Sequence, residues 1–264
     1  MVPNVAGSNP VIRPIVANRL NFAFLKVENI ITNIFSKRYF CPVCGKLAGF
    51  DNMINDVEIR KHAICPGCGA LERHRFIYFI YKLLFLDTTR KIKILHIAPE
   101  MVFYNLISKN ENIDYHSMDL YPETYGYAKN IVKGDITNIP FEDDSFDFVI
   151  HNQVLEHIKD EELCIKECLR VLKKGGIFII NIPYSPTREN NYEDDTIISP
   201  EQRKVAYYQS DHVRLYGKEC LDKYTKKFNL YRISPDIFGP NVMKHLKTKR
   251  DSTFLQDAYY LLKK

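Results

Sequence analysis

The chain's 264 residues are 45% hydrophobic and 26% charged, with 11 Gly, 13 Pro and no Trp, which excludes a disordered, collagen-like or low-complexity protein. The length suits one or two domains, and no apolar run approaches the ~18 uncharged residues of a membrane span. The net charge of +5 divides into +6 over residues 1–90, −5 over 91–182 and +4 over 183–264. Solvated lysines explain such flanks as readily as an anionic partner does. Nothing at the start reads as a secretory signal. Seven cysteines, four of them in two C-x2-C pairs, point to a reducing compartment and a metal, not to disulfides. A cytoplasmic protein is expected.

In chain order, residues 1–40 form a first segment, with an amphipathic helix expected over NFAFLKVENIITNIF (Asn21–Phe35) because its apolar residues recur at helical spacing. Residues 41–90 form a second. There C-x2-C, twenty residues and C-x2-C, each pair within a CPxCG segment, give the spacing of a four-thiolate zinc site. Cys41, Cys44, Cys65 and Cys68 are its expected ligands. In each knuckle the Pro stiffens the turn, and the Gly after the second Cys lets the backbone turn back on itself. Four protein ligands leave no open position, so the zinc is expected to be structural. ALERHRFIYFIYKLLFLD reads as a helix with Leu71, Phe76, Ile80, Leu83 and Leu84 on its packing face.

Residues 91–264 form the third segment. Strands are expected at Lys91–Ile97, at IDYHSMDL ending in Asp119, at NIVKGDI with Asp135 beyond its end, at Phe146–Gln153 and at Gly176–Pro183. Helices are expected between them, the last being DEELCIKECLRVLKKGG, with Leu163, Ile165, Leu169 and Leu172 inward, Lys173 and Lys174 in its last turn and a Gly stop. Such alternation is a doubly wound α/β sheet, which binds ligands beyond the carboxyl ends of its strands. The tail reads as helix then strand, and DAYYLLKK as a last antiparallel strand.

The run GDITNIPFEDDSFDFVIHNQVLEHI followed by LRVLKKGG resembles class I S-adenosylmethionine-dependent methyltransferases of the type 11 group. The likeness runs from Lys91 to Thr187 and combines several elements in order, which is far more specific than a lone glycine motif. It implies a seven-stranded Rossmann-like methyltransferase sheet beside the small N-terminal zinc-ribbon module. It also implies S-adenosylmethionine as cofactor, with Asp119 and the neighbouring Leu120 at the ribose, Asp135 at the adenine amino group and Ile136 on the ring. Asn152 and Gln153 would face the reactive end. In the first loop, HIAPEMV departs from the acid and alternating glycines of the superfamily. His96 stands at the acid position and Ala98 and Glu100 at glycine positions, so Glu100 is the expected partner of the methionine ammonium.

For the acceptor, His212 and Arg214 of YYQSDHVRLYG are expected to face one side of an extended stretch as base and anion binder, with Asp211 turned away. His157 of VLEHI is a second candidate base. The preceding polar stretch, SPTRENNYEDDTIISPEQRK, reads as a lid. The reading is methyl transfer to a small-molecule or glycan-type acceptor. A ribosomal or other RNA methyltransferase is the same-chemistry alternative, not favoured because no basic, aromatic stacking platform is concentrated anywhere. An inactive zinc-stabilised binding protein is the third reading.

Overall fold

The computed structural model describes residues 38–55, 58–250, 252 and 255–264; the helix expected over Asn21–Phe35 lies outside them. In chain order the strands are Tyr39–Phe40 (β1), Leu47–Ala48 (β2), Asp51–Ile54 (β3), Ile59–Ile64 (β4), Ile92–Ile97 (β5), Ile113–Asp119 (β6), Ile131–Lys133 (β7), Phe146–Asn152 (β8), Leu172–Tyr184 (β9), Tyr231–Ile233 (β10) and Gln256–Lys263 (β11). The α-helices are Glu72–Tyr81 (α1), Met101–Ile107 (α2), Glu161–Val171 (α3), Pro200–Tyr207 (α4), Cys220–Phe228 (α5) and Pro240–Leu246 (α6). The chain divides into two compact units: residues up to Met53 with Lys61–Asp87 and Pro235–Lys249, and Ile54–Arg60 with Thr88–Ser234 and Arg250–Lys264.

In the first unit β1 and β2 form a two-stranded antiparallel pair. Helix α1 buries Phe76, Ile77, Ile80 and Tyr81 and runs on into a π-turn over Lys82–Leu86 that buries Phe85. Leu71, Leu83 and Leu84 are only half-buried, so the packing face is rotated toward Ile77 and Tyr81 relative to the sequence expectation. The irregular tail segment supplies Phe238, whose ring packs edge-on against Phe76 and Phe79 at 5.6 and 5.0 Å. Residues 235–249, placed with the third segment by sequence, belong to this unit.

The second unit is a seven-stranded sheet in the order β10-β11-β9-β8-β5-β6-β7. Strands β5 to β9 run parallel, and β11 is antiparallel between β9 and β10. The central β5 and β8 are buried almost throughout, as the Ile- and Val-rich runs of a sheet covered on both faces require. Leu95, Ile97, Val149, Phe178 and Ile180 meet Ile165, Cys168 and Val171 of α3 in the core, each fully buried apolar side chain being worth roughly 1.5–3 kcal/mol.

Two details differ from the periodicity reading. No α-helix separates β6 from β7 or β7 from β8; a 3-10 turn over Pro122–Thr124 and a loop serve instead. Helix α3 ends at Val171, and Leu172–Lys174 are already strand: Leu172 pairs with Phe146, and the amides of Asp144 and Ser145 bond the last helical carbonyls, those of Arg170 and Val171. The tertiary pairing overrides the helical pattern of LRVLKK. Its buried face accordingly carries Cys164, Ile165, Cys168 and Val171, while Leu163 is exposed. Arg170 then donates to the carbonyls of Ile139 and Phe141 and to Glu167 and Asp143, so one side chain holds the PFEDD loop against the helix. These two motif blocks are coupled through structure.

Candidate functional site

The carboxyl ends of β5, β6 and β8 carry the candidate site. Two of the non-glycine residues with positive φ stand there, Ala98 (49°) just after β5 and Gln153 (54°) just after β8. Left-handed backbone costs a residue with a Cβ of the order of 1–3 kcal/mol and gathers at functional sites. Ala98 is held by its N–H on the Met118 carbonyl at 2.9 Å. Thus the loop adopts a conformation glycine takes freely, although the sequence has no glycine there. Glu100 follows at the N-cap of α2 with no side-chain cap hydrogen bond; its charge is felt by His96, Tyr125 and Tyr127.

Asp119 ends β6 half-buried. Its Oδ1 accepts the Tyr121 N–H and its Oδ2 the Tyr125 hydroxyl, both at 2.7 Å. A carboxylate offers about four lone-pair sites, so acceptor capacity remains for a ligand. Burial and this hydrogen bond push the Tyr125 hydroxyl pKa up, so it stays a donor. Tyr127 donates to the Pro99 carbonyl at 2.6 Å, and its ring lies 5.8 Å from that of Tyr125 and 6.1 Å from that of Tyr104. Met101, Leu120, Tyr121 and Tyr127 leave apolar surface exposed around this edge, the kind of surface that a bound group covers. Sequence reasoning missed Tyr125 and Tyr127; the signal was three tyrosines in the short YPETYGY link between two strands.

Other expected residues are placed less simply. Asp135 is exposed and accepts the N–H and hydroxyl of Thr137 on Oδ1 in a tight turn. Gly134 before it has no room for a Cβ, which would stand 2.7 Å from the Met118 sulfur. Ile136 is buried in the main core. His96 is fully buried and bonds the Tyr115 hydroxyl through Nδ1 at 2.9 Å. Burial lowers its pKa to about 4 against the charge of Glu100, so it is a neutral interior group, not a surface ligand. Asn152 is buried. Gln153 does not face the β5–β6 edge: its N–H bonds the Asn181 carbonyl, and its amide reaches Asn181 Oδ1 at 2.7 Å and Asp257 at 3.3 Å.

The histidines beyond β8 do converge. Glu156, His157 and His212 bring their polar atoms within 4.8 Å of one another, with the two imidazoles edge-on at 4.7 Å between centroids. The Asp211 carboxylate accepts from His157 Nδ1 at 3.3 Å, so it is not turned away from the histidines; it serves His157. Burial opposes charge on His157, but Asp211 and Glu156 outweigh it and raise its pKa. The same hydrogen bond brings Asp211 down to about 2. Burial, with the His157 charge, lowers His212 to about 4. Neighbouring groups whose pKa values are driven apart make an acid–base pair.

Arg214 departs from expectation. It is buried, and its five N–H donors go to Glu193 Oε1 and Oε2 and to the carbonyls of Leu155, Ile158 and Lys159. No donor remains for an acceptor. Its work is to clamp the turn bearing Glu156 and His157, helped by the Val213 N–H on the Glu156 carbonyl. Part of the polar stretch expected as a lid is a capped helix, with Ser199 accepting the Gln202 N–H at the start of α4.

In the other unit the four knuckle cysteines bring their sulfurs within 4.8 Å of one another, with Cys41–Cys68 and Cys44–Cys65 at 3.7 Å. Gly45 and Gly69 take φ of 70° and 73°, which lets their amides bond back to the Cys41 and Cys65 carbonyls. Burial pushes the Cys68 thiol up to about 11; a bound dication reverses that balance. Arg75, fully buried, donates to the carbonyls of Ala63, Ala70 and Lys247 and stands over the Phe50 ring, a fixed positive charge beside the thiols.

Residues 99–180 match the family model described as a methyltransferase domain. A probable S-adenosylmethionine-dependent methyltransferase of Mycolicibacterium smegmatis is 38% identical over 64 residues, 23% of this chain and 25% of that protein. Norajmaline N-methyltransferase of Rauvolfia serpentina is 28% identical over 127 residues, 44% of this chain and 41% of that enzyme. The chain thus spans a quarter to two-fifths of these relatives. Among solved structures, a putative sarcosine dimethylglycine methyltransferase from Galdieria sulphuraria aligns with a TM-score of 0.45 at 16% identity, covering 72% of this chain and 84% of that one. Over residues 99–180 the chain is thus similar to methyltransferase domains. No helix among the described residues is long and apolar enough to cross a membrane.

Proposed function

We propose that this methyltransferase domain binds S-adenosylmethionine across the ends of β5, β6 and β7 and methylates a small-molecule or glycan-type acceptor beside the His157–His212 pair. The observation that carries the reading is the coincidence of three features at one sheet edge: the left-handed Ala98, the half-buried Asp119 carboxylate and uncovered apolar side chains. All lie in or beside the matched residues 99–180. That norajmaline N-methyltransferase is named for a small organic acceptor supports the acceptor class.

These residues suit the cofactor's chemistry. Asp119 would accept from the ribose hydroxyls, Asp135 from the adenine amino group, and Glu100 would balance the methionine ammonium. When bound, the cofactor supplies an electrophilic methyl carbon on a sulfonium. The chain's own part is positioning and proton handling. Asp211 and Glu156 favour the charged form of His157 and make it the better proton acceptor of the pair, while burial and His157 keep His212 neutral beside it. Arg214 fixes the turn on which His157 stands. In the first unit Cys41, Cys44, Cys65 and Cys68 would hold a structural zinc, whose four ligands leave no reactive position.

Glu100→Gln tests the cofactor placement. Calorimetry is expected to show weakened binding of S-adenosylhomocysteine and unchanged binding of 5′-methylthioadenosine, which lacks the amino-acid portion. Equal weakening of both would remove Glu100 from the ammonium site.

A further inference from the structure

A cluster beneath the sheet takes no part in this chemistry. His151 is the penultimate residue of β8, and Cys164 and Cys168 stand one turn apart on α3. All three are fully buried, and a ring nitrogen and both sulfurs lie within 4.8 Å of one another. Among the described residues, neither His151 nitrogen has a hydrogen-bond partner. The Phe178 ring lies 5.5 Å away, and both cysteines belong to the apolar core.

A buried imidazole with both nitrogens unbonded is costly, and such a group calls for a specific explanation. A trapped water is a poor one, because it needs two to four good polar partners and thiols are weak ones. We propose that His151, Cys164 and Cys168 bind a thiophilic dication, zinc being the biological ion that fits, between β8 and α3.

The donor set is one soft-metal sites use. Bond lengths of about 2.3 Å to sulfur and 2.0–2.1 Å to nitrogen put donors roughly 3.5–3.8 Å apart, within reach of three groups that stand no more than 4.8 Å from one another. On binding, both thiols lose their protons to solvent and two sulfur–metal bonds and one nitrogen–metal bond form. Two thiolates, a neutral imidazole and a dication sum to zero, as a dry site requires. The ion would tie α3 to the strand that ends one residue before Gln153.

The test is metal content by elemental analysis of the full chain purified with zinc present, beside Cys164→Ser/Cys168→Ser and Cys41→Ser/Cys44→Ser. The proposal expects two zinc ions per chain in the wild type and one in the Cys164/Cys168 variant, with the knuckle ion retained. A wild-type content below two, or two ions persisting in that variant, overturns it. If the double variant does not fold, cobalt substitution of the wild type decides. Two equivalents of cobalt with thiolate charge-transfer absorption, falling to one in His151→Phe, support the site; one equivalent in the wild type overturns it. Metal content is read without cofactor or acceptor, so failure here leaves the methyltransferase reading untouched.

Discussion

In the first unit, two strands of two residues each and a ten-residue helix surround four sulfurs and a buried arginine. In the second, seven strands bury a continuous apolar core, and the polar groups of interest sit at its rim. The difference teaches where chemistry is spent. Where apolar area is scarce, metal binding and folding are one process. Where a core already exists, strained backbone and unusual pKa values are tolerated at the edge and become available for function.

The contrast breaks most visibly at the knuckles. Cys41→Ser is expected to abolish the zinc binding proposed for the first unit and to unfold that unit, read as metal content and as hydrogen exchange across α1, while protection in β5 and β8 persists. Exchange rising equally in both units would mean that they do not fold on separate terms. Next in size is Arg214→Met. It orphans three carbonyls and removes the partner of Glu193, so a loss of ~3–5 kcal/mol is expected from denaturant unfolding. A change under ~1 kcal/mol would mean that the clamp is not structural.

The sequence made the sheet legible because its signal is local: apolar β-branched runs and strand-end acids sit within a few residues of the elements they define. That Asp119 ends a strand and that the four cysteines gather was legible for the same reason. Arg214 was not. An extended stretch does put His212 and Arg214 on one face, but only the fold shows that the carbonyls of Leu155, Ile158 and Lys159 are waiting there. Likewise the strand at Leu172 depends on pairing with Phe146, which periodicity cannot register. The left-handed backbone at Ala98 was invisible because alanine does not announce it.

A smaller effect concerns pH. His96 and His212 have folded pKa values of about 4, below the ordinary ~6.5 of the unfolded chain. The unfolded state therefore takes up protons first, and stability falls as pH drops from about 6.5 toward 4, by a few kcal/mol at most. His157, raised, works in the opposite sense: its contribution is complete below about 6.5 and lost as pH rises through its folded pKa. The expected result is a thermal midpoint that falls on acidification, less steeply in His96→Gln. A flat profile between pH 6.5 and 4.5 would contradict the buried neutral histidines.

The smallest effect sharpens the rim. Ala98→Gly relieves a left-handed alanine, worth ~1–2 kcal/mol, at an unfolded-state entropy cost of ~0.5–1 kcal/mol. A net gain of a few tenths to ~1 kcal/mol in stability is expected from denaturant melts. A loss would mean that the alanine methyl packs to advantage and the loop is not strained.

The central claim, that the rim of the sheet unit is a cofactor site, is met most directly by calorimetry of S-adenosylhomocysteine with the wild type and Asp119→Ala. One site per chain is expected in the wild type, weakened ~10–100-fold in the variant, a loss equal to about one hydrogen bond to a charged acceptor at roughly 1.5–3 kcal/mol. Equal affinity in the two proteins, or no binding by the wild type, would contradict the account.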